Sequence, residues 1–148
     1  MRSERFAILD RLLLRQIDLD RAPPAQLVRA WRRLQASGGG AGVEELSRQV
    51  GWSSRHLREQ FRAEIGLSPK AAARVIRFDR ARRLLQTRAA AGGGPGLADL
   101  AATCGYYDQA HLARDFGELA GSPPSRWLAD EFRNVQDADW DPLAELAV

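Results

Sequence analysis

Several things are scarce in this chain of 148 residues, and each scarcity removes a class of protein. A single cysteine, Cys104, excludes an internal disulfide and fits a reducing compartment. No apolar run approaches the roughly 20 residues that cross a bilayer, and the amino terminus shows no charged-then-apolar signal with a cleavage site, so a cytoplasmic protein is expected. No segment alternates apolar and polar residues for long, so strands are not expected. Lysine is nearly absent: of 22 basic residues only Lys70 is not arginine. That bias follows either from genome composition or from a need for the fork-shaped donor that suits phosphate and guanine.

What is present is an uneven charge. The formal total of +3 divides into 8 basic and 4 acidic residues over 1–42, 11 and 5 over 43–96, 3 and 6 over 97–133, and acids alone beyond. A polyanion would therefore be drawn mainly to the first two thirds of the chain. At 45% hydrophobic, the chain has enough apolar material for one compact core or two small ones.

Apolar residues recur at helical spacing almost throughout. Phe6, Leu9, Leu13 and Ile17 form one stripe, ended by Pro23 and Pro24, and Leu27, Trp31 and Leu34 form another. Glycine-rich stretches at 37–42 and 92–96 read as flexible connections. The expected fold class is all-α, with additional N-terminal helices ahead of the main unit.

An internal repeat organises the rest. Val43, Leu46, Val50, Gly51 and Trp52 recur 54 residues later as Leu97, Leu100, Cys104, Gly105 and Tyr106. After one inserted residue, Ser53, His56, Leu57, Phe61 and Gly66 recur 55 residues later as Asp108, His111, Leu112, Phe116 and Gly121. Each copy reads as short helix, glycine turn, capped second helix and glycine stop, with Ser53 and Asp108 as N-caps. That is a helix-turn-helix, whose second helix such motifs lay in the DNA major groove. Between the copies, Ser68 and Pro69 open a helix expected to run to Gln86, about 27 Å at 1.5 Å per residue, with Val75, Phe78 and Leu85 packing on the two units.

The stretch "VEELSRQVGWSSRHLREQFRAEIGLSPKAAARVIRFDRARRLL", with "LADLAATCGYYDQAHLARDFGELAGSPPSRWL", resembles the DNA-binding domain of the AraC/XylS transcription regulators. The likeness covers 43–133: a first helix-turn-helix at 43–66, a linker helix at 68–86, a second helix-turn-helix at 97–121 and a terminal helix at 123–133. Residues 1–42 look like the remnant of a sensor or dimerisation domain, and 134–148 form an acidic tail. Tyr106, Ala110 and Leu112 stand where Phe, Ser and Phe are more usual.

The resemblance implies a fold of two helix-turn-helix units bridged by a long linker helix, and a sequence-specific regulator that reads successive major grooves of double-stranded DNA and recruits or obstructs RNA polymerase. The family's base-reading positions hold Arg55, Arg58 and Glu59 in the first unit and Gln109, Ala110, Ala113 and Arg114 in the second. Arginine can bridge guanine O6 and N7, and glutamate can accept from cytosine N4, whereas the alanines offer only apolar contact. Backbone contacts would fall to Ser53, His56, Arg62, Arg74, Arg77 and His111, the arginines serving either as phosphate partners or as solvated helix charge. The stripe within residues 4–17 either folds on the core or pairs with a second copy as a homodimer. Forty-two residues leave no room for a ligand-binding barrel, so no small-molecule effector is expected in this chain.

No cofactor or metal is expected. His56 and His111 occupy equivalent third positions of separate helices with no cysteine or carboxylate cluster beside them, which suits capping or a phosphate contact. Cys104 takes the place of Val50 in the repeat, which suits a buried apolar role. No convergent set of titratable groups suggests an enzyme. The rival reading is a helical protein-interaction module without direct DNA readout, which leaves the doubled capped motif and its outward arginines unexplained.

Overall fold

The computed structural model describes residues 22–94 and 96–137. Among these the chain forms helices alone, in the order α1 (Ala25–Ala36), α2 (Val43–Val50), α3 (Ser54–Ile65), α4 (Pro69–Ala90), α5 (Leu97–Thr103), α6 (Gln109–Ala120) and α7 (Pro124–Asp137). The stripe of residues 4–17 and the acidic tail lie outside the described residues, apart from the tail's first four positions.

Two separate cores hold these helices. The first gathers Leu27, Ala30 and Leu34 of α1, Leu46 and Val50 of α2, Leu57 and Phe61 of α3, and Ala72 and Ala73 of α4. The second gathers Ala81 and Leu85 of α4 with Leu100, Ala101, Cys104, Tyr106, Leu112 and Phe116, and Trp127 packs against it. Aromatic edges meet faces within it, Phe78 on Phe116 at 4.9 Å between ring centres and Phe116 on Trp127 at 5.7 Å.

The linker helix α4 serves both cores. At 3.6 residues per turn, Pro69, Ala72, Ala73 and Ile76 point to one side, whereas Phe78, Ala81 and Leu85 point to the nearly opposite one. Val75 falls on neither side and is 43% exposed, which corrects the expectation that it packs. Ser68 opens the helix by accepting from the Ala71 amide at 3.2 Å, with Pro69 in the first turn. The helix runs to Ala90, four residues beyond the expected end, because Thr87, Arg88, Ala89 and Ala90 have no reason to leave a helix before Gly92. Its 22 residues span about 33 Å at 1.5 Å per residue.

The connection at 37–42, expected to be flexible, is instead a hydrogen-bonded turn. The Ser37 hydroxyl donates to the Leu34 carbonyl at 2.9 Å and accepts from the Ala41 amide at 3.0 Å, and Ala41 is buried. Gly39 donates to the Leu34 carbonyl and lies with a φ of +82° against the Ala73 carbonyl, where a Cβ would stand 2.3 Å away. Gly38 and Gly39 lie against Arg80 and Ala73 of α4, so these glycines serve close approach rather than slack.

Candidate nucleic-acid interface

Both helix-turn-helix units are built from the same local bonds. In the first, Gly51 turns the chain with a φ of +73°, its amide donates to the Arg48 carbonyl, and the Trp52 amide donates to the Ser47 carbonyl. In the second, Gly105 has a φ of +75°, its amide donates to Ala102, and Tyr106 donates to Ala101. These paired bonds form a Schellman stop, which needs a left-handed residue at the turn. Ser53 then accepts from the His56 amide at 3.1 Å, and Asp108 from the His111 amide at 2.7 Å.

Even the histidines repeat. His56 meets Trp52 edge-on at 4.7 Å between ring centres, and His111 meets Tyr106 likewise at 5.1 Å. His111 goes further: its Nδ1 accepts from the Tyr107 amide at 3.4 Å, which completes a reciprocal cap. The units differ at one joint. Ser47, buried in α2, shares a hydrogen bond with Ser54 at 3.2 Å, while its repeat equivalent, Ala101, is buried without a polar group.

On the first recognition helix, α3, Leu57 and Phe61 are fully buried, which turns the opposite face outward. There the Arg55 side chain is 89% exposed and its Nε donates to Glu59 Oε1 at 2.9 Å. Arg58, exposed one turn on, lies 3.8 Å from Glu44 of α2. Arg62 is also exposed and makes no ion pair among the described residues. Arg55, Arg58 and Glu59 are thus brought together on one solvent face.

The second recognition helix, α6, presents Gln109, Ala110 and Arg114 to solvent, with Ala113 half-buried. Arg114 Nε lies 3.4 Å from the Ala110 carbonyl, a long bond, and its other donors have no partner among the described residues. Tyr107, just ahead of the cap, is 94% exposed, a large aromatic at the threshold of the helix that sequence reasoning passed over. Its only sequence signal is its place between a core tyrosine and an N-cap.

Two arginines expected near phosphates are engaged inside the molecule. Arg74 Nε donates to Asp115 Oδ1 of α6 at 2.8 Å, and its Nη2 reaches Glu118 one turn further. Arg77 sits over the Tyr106 ring, 5.5 Å from its centre. Asp115 is 3% exposed, a buried carboxylate that the sequence did not announce. Burial, and next the Asp115 charge, push the Tyr106 hydroxyl well above the usual tyrosine range. Cys104 is buried and its thiol is pushed up by that burial, against the pull of Arg80 and Arg88, so it is a core residue of low nucleophilicity.

Among the described residues no cluster of three or more metal-ligating side chains occurs, and no helix is long and apolar enough to cross a membrane. The arrangement offers two outward helices of similar build, one rich in arginine, carried by a common rod.

Known proteins share this arrangement. The family described as a helix-turn-helix domain matches residues 46–130. The transcriptional activator RhaR of Klebsiella pneumoniae is 32% identical over 85 residues, which are 57% of this chain and 28% of that protein, so the match spans under a third of the relative's length. Among solved structures, a probable AraC family regulator from Rhodopseudomonas palustris superposes with a TM-score of 0.61 at 28% identity, over 71% of this chain and 95% of that one. The DNA-binding domain of AdpA, solved with a target DNA, superposes with a TM-score of 0.65 at 22% identity, over 76% and 97%. The C-terminal domain of AraT, a response regulator from Geobacillus stearothermophilus, does so with 0.64 at 20%, over 74% and 88%. With the doubled capped motif, its bridging helix and these likenesses together, the chain belongs to the AraC/XylS family of helix-turn-helix transcription regulators.

Proposed function

We propose that the protein reads two successive major grooves on one face of a promoter duplex. The carrying observation is the rod: α4 spans about 33 Å, close to the roughly 34 Å of one DNA turn, and the two capped recognition helices flank it. Arg55, Arg58 and Glu59 read bases in one groove, and Gln109, Ala110, Ala113 and Arg114 in the next. Arg62 is the arginine left for a phosphate, with Ser53, His56 and His111 at the helix starts where backbone amides and the helix dipole favour an anion, while Arg77 stays over the Tyr106 ring.

The first unit dominates specificity. It carries the arginine pair that can each bridge a guanine, while the second offers alanines and one arginine and sits in the acidic part of the chain. Its part is mainly to set register. The protein acts in the cytoplasm at the nucleoid, and RNA polymerase is the partner through which promoter binding has effect, a reading supported by the activator RhaR among its relatives. A homodimer through residues 4–17 would double the site.

Selection of binders from random duplexes at near-physiological salt tests this. Two enriched boxes about one helical turn apart are expected, and binding should weaken steeply as salt rises and counterions are released. A lack of enrichment, or binding indifferent to salt, would turn the reading toward a protein-interaction module.

A further inference from the structure

We propose that Arg74 and Asp115 form a clamp that sets the angle of the second recognition helix against the linker helix, so that Arg74 acts in DNA reading as a positioning residue and not as a phosphate contact. The inference rests on the two-groove reading above and adds to it the device that aims the second helix.

The argument begins with what otherwise joins α6 to α4. Phe116 meets Phe78 edge-on within the second core, a contact at one level of the helix that holds α6 close but leaves its axis free to tilt about it. Arg74 adds direction. One arm of its planar fork holds Asp115 at 2.8 Å and the other holds Glu118, three residues further along α6. A rigid donor gripping two points on one helix fixes both its rotation and its travel along its axis.

Among the described residues no other cation is bonded to Asp115. Its Oδ2 and the Tyr106 hydroxyl are both buried without a hydrogen bond of good geometry among the described residues, and the Asp115 charge bears on that hydroxyl. A carboxylate taken out of water in this way is costly, and such a group is tolerated where it specifies one arrangement over neighbouring ones. The side chain that offsets it, Arg74, belongs to the rod. Gln109, Ala110 and Arg114 lie on the outward side of the same helix, within two turns of Asp115. Because a base contact depends on donor–acceptor distance within a few tenths of an ångström, a small rotation of α6 would withdraw them together.

The experiment compares two duplexes, one with both boxes from the selection and one with the second box scrambled, over a series of salt concentrations. Wild-type protein, Arg74→Gln, Asp115→Asn and the double variant Arg74→Gln/Asp115→Asn are titrated at a temperature where circular dichroism shows each to be folded. Arg74→Gln and Asp115→Asn are expected to lose the preference for the intact second box, about tenfold, the worth of one base contact. Affinity for the scrambled duplex and the slope of affinity against salt should stay as in wild type. The double variant replaces the buried ion pair with a neutral polar pair, restores folding if a single variant lacks it, and is expected to regain part of the preference.

A phosphate role for Arg74 predicts the opposite pattern: both duplexes bind equally less well, and the slope of log affinity against log salt falls by about 0.9. That result, or an unchanged preference in every variant, overturns the clamp while leaving the two-groove reading intact. Wild-type protein that binds the two duplexes alike would refute the two-groove reading, and the clamp's role with it.

Discussion

Gly39 rests directly on the backbone of Ala73: a Cβ at Gly39 would stand 2.3 Å from the Ala73 carbonyl oxygen. The contact fastens the turn after α1 to the linker helix, and it allows no side chain. Gly39→Ala is expected to cost about 2–4 kcal/mol, combining a left-handed φ with a backbone clash. Gly51→Ala meets open space and should cost only the conformational part, about 1–2 kcal/mol. Denaturant melts of the two variants check this, and equal losses would show that the turn at Gly39 can move away.

Arg55 and Glu59 form a solvent-exposed pair one turn apart on the first recognition helix. Arg55→Ala should lower specific binding by about 1–3 kcal/mol, the worth of a bidentate guanine contact, and Arg114→Ala by less. Salt-matched titrations on the selected duplex compare them. A greater loss for Arg114 would move the weight of recognition to the second unit.

The two caps are similar in place and different in charge. Ser53→Ala and Asp108→Ala should each destabilise by about 1 kcal/mol, the Asp108 change by more, since its carboxylate also faces the positive end of α6. Thermal unfolding of both variants is the measurement. Stability unchanged in both would mean that packing alone defines the two helix starts.

Tyr106 gives a pH dependence of known sign. Its hydroxyl is raised in the folded protein, by burial first and then by Asp115, while an unfolded tyrosine ionises near about 10. The folded state therefore holds the proton more tightly, and stability present below that pH is lost as pH climbs above it. In Tyr107→Phe, which leaves one of the two tyrosines, phenolate absorbance is expected only together with loss of helical signal. Phenolate that appears while the helices persist would show that water reaches the hydroxyl. Tyr106→Phe should be slightly destabilising, because it takes from the buried Asp115 carboxylate the neighbouring hydroxyl on which its charge acts.

Much of this fold is legible in the sequence because its determinants are local. Gly51 and Gly105, Ser53 and Asp108, and the registers of Leu57, Phe61, Leu112 and Phe116 each act within a few residues, and all stand where the repeat places them. What was not legible depends on partners distant in sequence. Val75 lies off both faces of a helix whose faces only the assembled cores define. The turn at 37–42 closes on its own Leu34 and Ser37 but is seated against α4, which begins some 30 residues later. Asp115 is a surface residue by type, and nothing near it signals Arg74, 41 positions away. The exposed face of α3 follows from the period, whereas which of its side chains meet bases depends on a duplex that sequence alone does not contain.

The separation of the two cores also shapes the order of assembly. Every buried residue of the first lies between Leu27 and Ala73, and every buried residue of the second between Ala81 and Phe116. A growing chain has the whole of the first core available while the second recognition helix is still unmade, and its short-range contacts favour rapid closure. During that interval Phe78 and Leu85 project from a half-used helix whose second core is not yet made. The far end of the rod is thus a stretch that stands open during synthesis, and the proposed grip on two grooves becomes available only when α6 has closed over it.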